Sequence, residues 1–198
     1  MVENSRKRNA AFIWEIKPSL PLSADSRRTR AAHCRRSLRR WSPKTVVPPS
    51  GDKHDYTSQA PYFWPNPSKP DGLPYLRRDG ERNPEINKIT DHLALDQMES
   101  AVRTLALAYY FKADEKYAAK AAELVRAWFL DSTTRMNPNL EYAQFIPGVN
   151  TGRGIGRIET RGLVNVVEGV GLLAGSKSWT AADQKGLESC STNDRHAQ

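Results

Sequence analysis

The sequence predicts an all-α fold carrying long irregular loops. Apolar residues recur at three- and four-residue spacing over about 85–111, 114–129 and 159–174, the period of a helix with one buried face. No run alternates as a strand would. Eight prolines between residues 45 and 84 exclude a helix interior there, because proline lacks the N–H and clashes with the preceding turn.

Residues 1–44 read as a disordered basic arm. They hold 12 Lys/Arg against 3 Asp/Glu, while residues 45–198 hold 18 against 19. The whole net charge of +8 therefore belongs to the arm. Arg27-Arg28, Arg35-Arg36 and Arg39-Arg40 fall among Ser, Thr and Pro. A solvated tail is the plain reading; a nucleic-acid or organelle-targeting arm is the sharper one.

Residues 45–84 read as extended loop, with Asp71-Gly72 and Asp79-Gly80 as turn signals. The first helix runs from about Glu85 to Phe111, with Leu95, Met98, Val102, Leu105 and Tyr109 on one face. Asp114 caps a second helix that buries Tyr117, Ala121, Leu124, Val125, Trp128 and Phe129. The short Lys112-Ala113-Asp114 link makes the two antiparallel neighbours. A loop covers 131–157. Its Gly152-Arg153-Gly154-Ile155-Gly156 run has the glycine density of a phosphate loop, but neither a preceding strand nor GxGxxG spacing. The third helix spans about Glu159 to Ala174, with Leu163, Val166, Val167, Val170 and Leu173 inward. Gly169 and Gly171 weaken its propensity, so close helix packing should support it. Thr180 with Asp183 forms a capping box that opens a fourth helix. Gly186 to Gln198 is polar and aperiodic, so that helix is expected to stop there. The domain reading is an arm at 1–44, a folded region at 45–188 and a disordered tail at 189–198.

Other classes are disfavoured. Cys34 and Cys190 and the histidines His33, His54, His92 and His196 are too dispersed for metal-ligand spacing. No stretch approaches the roughly 20 apolar residues that span a bilayer. No secretory signal is visible, since Ala10 to Ile13 is too short an apolar run.

Two polar-aromatic segments stand out: Lys53-His54-Asp55-Tyr56-Thr57-Ser58-Gln59-Ala60-Pro61-Tyr62-Phe63-Trp64-Pro65-Asn66-Pro67, and Asn137-Pro138-Asn139-Leu140-Glu141-Tyr142-Ala143-Gln144-Phe145-Ile146-Pro147-Gly148-Val149-Asn150. Rigid aromatics beside amides and charges suit a polar, ring-shaped ligand, and loops on a helical scaffold are where sites usually sit. Tyr62 and Trp64 are candidates to stack on sugar rings, against the plainer reading that they pack on helices. Asn137 and Asn139 are candidates for sugar contact, or else satisfy turn backbone. Tyr142 and Gln144 stand two apart and so share one side of an extended stretch. Arg77, Arg78, Arg153 and Arg157 are candidate carboxylate binders. His54 and Tyr56 are candidate proton-transfer groups, His54 with a loop hydrogen bond as its plain role. Tyr109 and Trp128 are read as core.

From Pro48 to Gly186 the chain resembles the alginate lyase family of polysaccharide lyases. The matching words are Pro48-Pro49-Ser50-Gly51-Asp52-Lys53-His54-Asp55-Tyr56, Ala60-Pro61-Tyr62-Phe63-Trp64-Pro65, Asp79-Gly80-Glu81-Arg82-Asn83-Pro84-Glu85, Asn137-Pro138-Asn139-Leu140 with Tyr142-Ala143-Gln144, and Gly152-Arg153-Gly154-Ile155-Gly156. The resemblance implies a partial (α/α) toroid, an incomplete barrel of paired helices, and β-elimination on a polyuronate such as alginate. That chemistry needs a neutraliser for the C5 carboxylate, a base for the C5 proton and an acid for the leaving O4. It demands no metal and no cofactor.

On this reading Tyr56, His54 and Tyr142 are the catalytic candidates. Tyr62, Trp64, Arg77, Arg78, Asn137, Asn139, Gln144, Arg153 and Arg157 are the substrate-binding ones. The family's Asn-Asn-His word, tied to carboxylate neutralisation and proton removal, does not occur here. The expectation is therefore a truncated lyase domain that does not turn over alone, with a non-catalytic carbohydrate-binding fragment as the alternative. The resemblance implies a periplasmic or extracellular location, an acidic polysaccharide as partner, and neither membrane nor nucleic acid.

Overall fold

The computed structural model describes residue 44 and residues 46–193. Residues 1–43 of the expected basic arm, with His33 and Cys34, and His196 beyond the other end, lie outside the described residues; Lys44, the last residue of that arm, has its side chain buried and paired with Asp91. Among the described residues, four α-helices form the frame: α1 (Asp91–Lys112), α2 (Glu115–Val125), α3 (Leu163–Leu172) and α4 (Ala181–Asn193). Helix α1 is central and packs against both α2 and α3. Its Leu95, Met98, Val102 and Leu105 meet Tyr117, Ala121, Leu124 and Val125 of α2, Val166 and Val170 of α3, and Trp128 in one buried cluster. Burying each large apolar side chain contributes about 1.5–3 kcal/mol. Helices as short as α2 and α3, at 11 and 10 residues, are marginal alone, so the shared core is what holds them.

Asn83 explains why α1 starts later than expected. Its side chain caps a 3-10 turn at Pro84–Lys88 by accepting from the Glu85 N–H, and Ile89 then turns extended. The helix restarts at Asp91. At its other end Ala113 adopts a left-handed conformation (φ 52°) and donates its N–H to Tyr109. Asp114 then caps α2 by accepting from the Lys116 N–H, as its sequence position predicts. Helix α2 runs on into a wider π turn, Arg126–Leu130, that buries Trp128.

The expected third helix divides in two. Residues Gly154–Thr160 form a 3-10 segment, and only Leu163–Leu172 is α-helical. Val167 faces solvent at 68% exposure rather than the core. Gly169 does sit where close packing requires it, since an added Cβ would lie 3.0 Å from Val102 Cγ1; Gly171 has open space. The Thr180–Asp183 capping box forms, with Thr180 N–H donating to Asp183 and Asp183 N–H to Thr180. Arg126 clamps the same carboxylate through two hydrogen bonds of 2.7 and 2.6 Å. The helix so anchored does not stop near Gly186 but continues to Asn193. Its inner surface at Gly186 and Leu187 lies against the core, with Leu130 beside Gly186.

The all-α expectation needs a second correction. Strand β1 (Thr57–Gln59) pairs in parallel with β4 (Tyr142–Phe145), and β2 (Phe63–Trp64) pairs antiparallel with β3 (Leu76–Arg77). These strands are two to four residues long, too short to show alternation. Among the described residues, no helix is long and apolar enough to cross a membrane.

Glu99 is a fault in the α1–α3 contact. It is buried, and its Oε1 bonds no described residue. Its Oε2 would lie 1.7 Å from a Cβ placed on Gly162. Burial, followed by the charge of Asp96, pushes its pKa up from 4.5 to about 7. The unfolded chain releases this proton near 4.5 and the folded chain only near 7, so stability falls as pH rises through that window. Glu99→Gln should therefore stabilise the protein by about 1–3 kcal/mol at pH 8 and by little below pH 4. Thermal melts of both proteins across pH measure this.

Candidate functional site

Asp55 stitches the two polar-aromatic segments together. Its buried carboxylate accepts from Ser50 Oγ at 2.7 Å, Asn137 Nδ2 at 2.8 Å and Asn139 Nδ2 at 3.0 Å. Burial pushes its pKa up, but the bonds from Asn137, Ser50 and Asn139 outweigh that and hold it below the ordinary 3.8. Asn137 also donates its side chain to Asp52 and its backbone N–H to the His54 carbonyl. Lys44 reaches in beside them. Its ammonium donates to the Asp55 carbonyl and pairs with Asp91 at 2.8 Å, both side chains nearly inaccessible. Asp91 in turn accepts from the Thr57 N–H, which fixes β1 against the start of α1.

Three residues of β1 span four of β4, since Thr57 sits opposite Tyr142 and Gln59 opposite Phe145. The extra residue is a bulge. Gln144, within it, adopts a left-handed conformation at φ 51°, uncommon for a residue with a Cβ. Its backbone N–H donates to Ser58 Oγ at 2.8 Å. The Gly152–Gly156 stretch then lies directly on β4. A Cβ on Gly152 would sit 1.8 Å from the Glu141 carbonyl oxygen, and one on Gly156 would sit 2.4 Å from Ala143 Cβ. These glycines are needed for close approach, and they bring Arg153 to the strand. Arg153 donates its backbone N–H to Ala143 and its Nη2 to Gln144 Oε1 at 2.7 Å, and its guanidinium lies 5.3 Å from the centre of the Phe63 ring.

A cleft of about 530 Å³ opens at this junction. Its walls carry Arg77, Arg82, Arg153 and Arg161, with His92, Gln59 and Gln144 between them and Tyr62 and Phe63 on one side. Asp96 and Glu159 are its acids. Three buried nitrogens on this lining, Gln59 Nε2, His92 Nε2 and Arg153 Nε, have no hydrogen-bond partner among the described residues. Gln59 is only 8% exposed. Buried polar atoms are almost always paired, so three orphans around one cavity point to a ligand rich in oxygen.

Of the sequence-predicted residues, the structure brings Tyr62, Arg77, Gln144 and Arg153 to this cleft. Tyr56 is fully buried in the core cluster, and its hydroxyl donates to Glu159 at 2.7 Å. Burial, with the Glu159 charge, pushes its pKa far up. His54 bonds the Arg135 carbonyl through Nδ1, and Asn137 and Asn139 are committed to Asp52 and Asp55. Trp64 donates its indole N–H to Glu81, with Arg78 stacked 5.5 Å away. Tyr142 lies beside Thr57 and not with Gln144, because the bulge breaks the two-residue alternation. Arg157 is exposed outside the cleft lining. Sequence reasoning overlooked Gln59, Arg82, His92, Arg161 and Glu159. Gln59 lay inside a quoted motif and Arg82 inside another, but nothing local marks His92 or Arg161.

The alginate lyase family model matches residues 41–191. The chain belongs to the alginate lyase family. A solved alginate lyase from Bacteroides ovatus superposes with a TM-score of 0.80 at 45% identity, covering 85% of this chain. The chain spans 45% of that protein's length. No curated protein matches it. The family match takes in every residue that lines the arginine-rich cleft, from Gln59 to Arg161.

Removing the Asp55 carboxylate should uncouple the two segments. Asp55→Ala should cost about 2–4 kcal/mol at neutral pH, since several donors lose one charged acceptor. A carboxylate with a lowered folded pKa gives its stability above 3.8 and loses it as pH falls through the folded value. The gap between variant and parent in chemical denaturation should therefore narrow in acid.

Proposed function

We propose that this chain supplies the carboxylate-binding wall of a polysaccharide lyase acting on alginate or a related polyuronate. The observation that carries this reading is the convergence of Arg153 Nε, Gln59 Nε2 and His92 Nε2, none with a partner among the described residues, on a cleft edged by four arginines. Guanidinium groups bind carboxylates through paired, charge-assisted bonds. Tyr62 and Phe63 offer flat apolar faces to the C–H side of a pyranose. In β-elimination a group so placed neutralises the uronate C5 carboxylate and makes the adjacent proton more acidic. Tyr56, held protonated and bonded to Glu159, supports the wall from behind rather than meeting the sugar. His54 and Tyr142 support loop and strand in the same way. A periplasmic or extracellular location belongs to the same proposal.

The family's Asn-Asn-His word is not in this sequence, so the reading assigns binding to these residues and predicts no turnover by the 198-residue chain alone. Isothermal titration with a saturated oligouronate should give salt-sensitive binding, and a neutral oligosaccharide of equal length should give none. Arg153→Ala should weaken binding tenfold or more, because a lost charge-assisted bond is worth about 1.5–3 kcal/mol. Equal binding of neutral and acidic sugars would overturn the assignment. Release of unsaturated product, followed by ultraviolet absorbance, would overturn the prediction that the chain does not cleave.

A further inference from the structure

A buried network runs from the cleft lining, at Glu159 and Gln144, to Tyr56 and Ser58. Ser58 Oγ donates to Glu159 Oε2 at 2.6 Å, Tyr56 Oη donates to the same oxygen at 2.7 Å, and Ser58 Oγ accepts from the Gln144 N–H at 2.8 Å. Tyr56, Ser58 and Gln144 are buried, at 0%, 2% and 6% exposure. With both hydroxyl hydrogens directed to one carboxylate, the Ser58 oxygen presents only its lone pairs to Gln144. Left-handed backbone at a non-glycine residue is strained and persists only where the surroundings enforce it. Here the enforcing groups are on the page: Ser58 on one side and the β1–β4 bulge on the other.

We infer that the Tyr56–Glu159–Ser58 relay is a positioning device that locks Gln144 in its left-handed turn, so that the Gln144 side chain holds one end of the Arg153 guanidinium and leaves Nε–H aimed at a uronate carboxylate. Gln144 and Ser58 are thus positioning residues, acting through Arg153. The inference rests on the polyuronate reading for the identity of the ligand, but the relay itself does not. The Glu159 carboxylate has two roles. It accepts both hydroxyls, and its charge favours the protonated form of Arg153 against burial and the repulsion of Arg77. A guanidinium held at one end loses less freedom when it takes a ligand.

The test is Ser58→Ala in the full chain, read by two-dimensional NMR of the arginine Nε–Hε resonances and by oligouronate titration. Ser58→Cys, whose thiol is a weaker partner, serves as a second variant should the first not fold. The expected result is a shifted Arg153 Nε–Hε resonance in the ligand-free variant and about tenfold weaker oligouronate binding, with the cysteine variant between. An unmoved resonance with unchanged affinity would overturn the relay and leave the polyuronate reading intact. A shifted resonance in a protein whose parent binds no oligouronate would support the relay and sink the polyuronate reading.

Discussion

One buried carboxylate sets the geometry on which the rest depends. Asp55 carries a full charge in a site where an unpaired charge would be very costly. It is tolerated because Ser50, Asn137 and Asn139 all donate to it. Those donors come from two segments more than 80 residues apart in the chain. Satisfying the charge therefore requires the segments to meet, and the parallel β1–β4 pair and the Gln144 bulge follow directly from that meeting. The buried Lys44–Asp91 pair performs the same service at the neighbouring position. Burial pulls the Lys44 pKa down and the Asp91 pKa up, each opposed by its partner. Neither ion would be tolerated without the other.

The helices and the loops divide the labour. Helices α1, α2 and α3 supply the apolar core and present one rigid edge, at the start of α1, where Asp91, His92 and Asp96 are close along the chain. The loops supply the polar chemistry. Gly152 and Gly156 let a backbone segment lie flat on β4, and Arg153 is carried into the cleft as a result. The same segment delivers Glu159 to the cleft lining, where it accepts from Tyr56 and Ser58. The cleft is thus a product of backbone approach and buried hydrogen bonds, its apolar lining coming from Tyr62 and Phe63 together with Ile86, Ile155 and Ile158.

Much of the frame was legible in the sequence because it is local. Leu95, Met98, Val102 and Leu105 announce α1 by spacing alone. Asp114 and the Thr180–Asp183 box announce helix starts within three residues of where they act. The two polar-aromatic segments stand out by composition, and Tyr62 and Gln144 from them line one cleft with Arg77 and Arg153 from the stretches that follow. What was not legible is non-local. The pairing of β1 with β4 joins residues 85 apart, over too few positions to show a period. His92 and Arg161 enter the cleft from helix-frame positions with no polar-aromatic context. Nothing about a glutamine foretells the left-handed backbone of Gln144, which is imposed by Ser58 from another segment. That one residue also broke the expected Tyr142–Gln144 alternation, and so separated two residues that spacing had placed on one side. The continuation of α4 past Gly186 was hidden for a related reason: its few inward contacts involve Leu130, far away in sequence.

The central claim is that Asp55-linked loops hold a set of unpaired nitrogens ready for an acidic sugar. A crystal structure of the chain with a saturated tri-uronate tests it most directly. The account predicts a carboxylate oxygen about 2.7–2.9 Å from Arg153 Nε, with Gln59 and His92 bonded to the same sugar and the Asp55 contacts unchanged. A sugar seated elsewhere, or a cleft in which those three nitrogens already bond to protein, would contradict it.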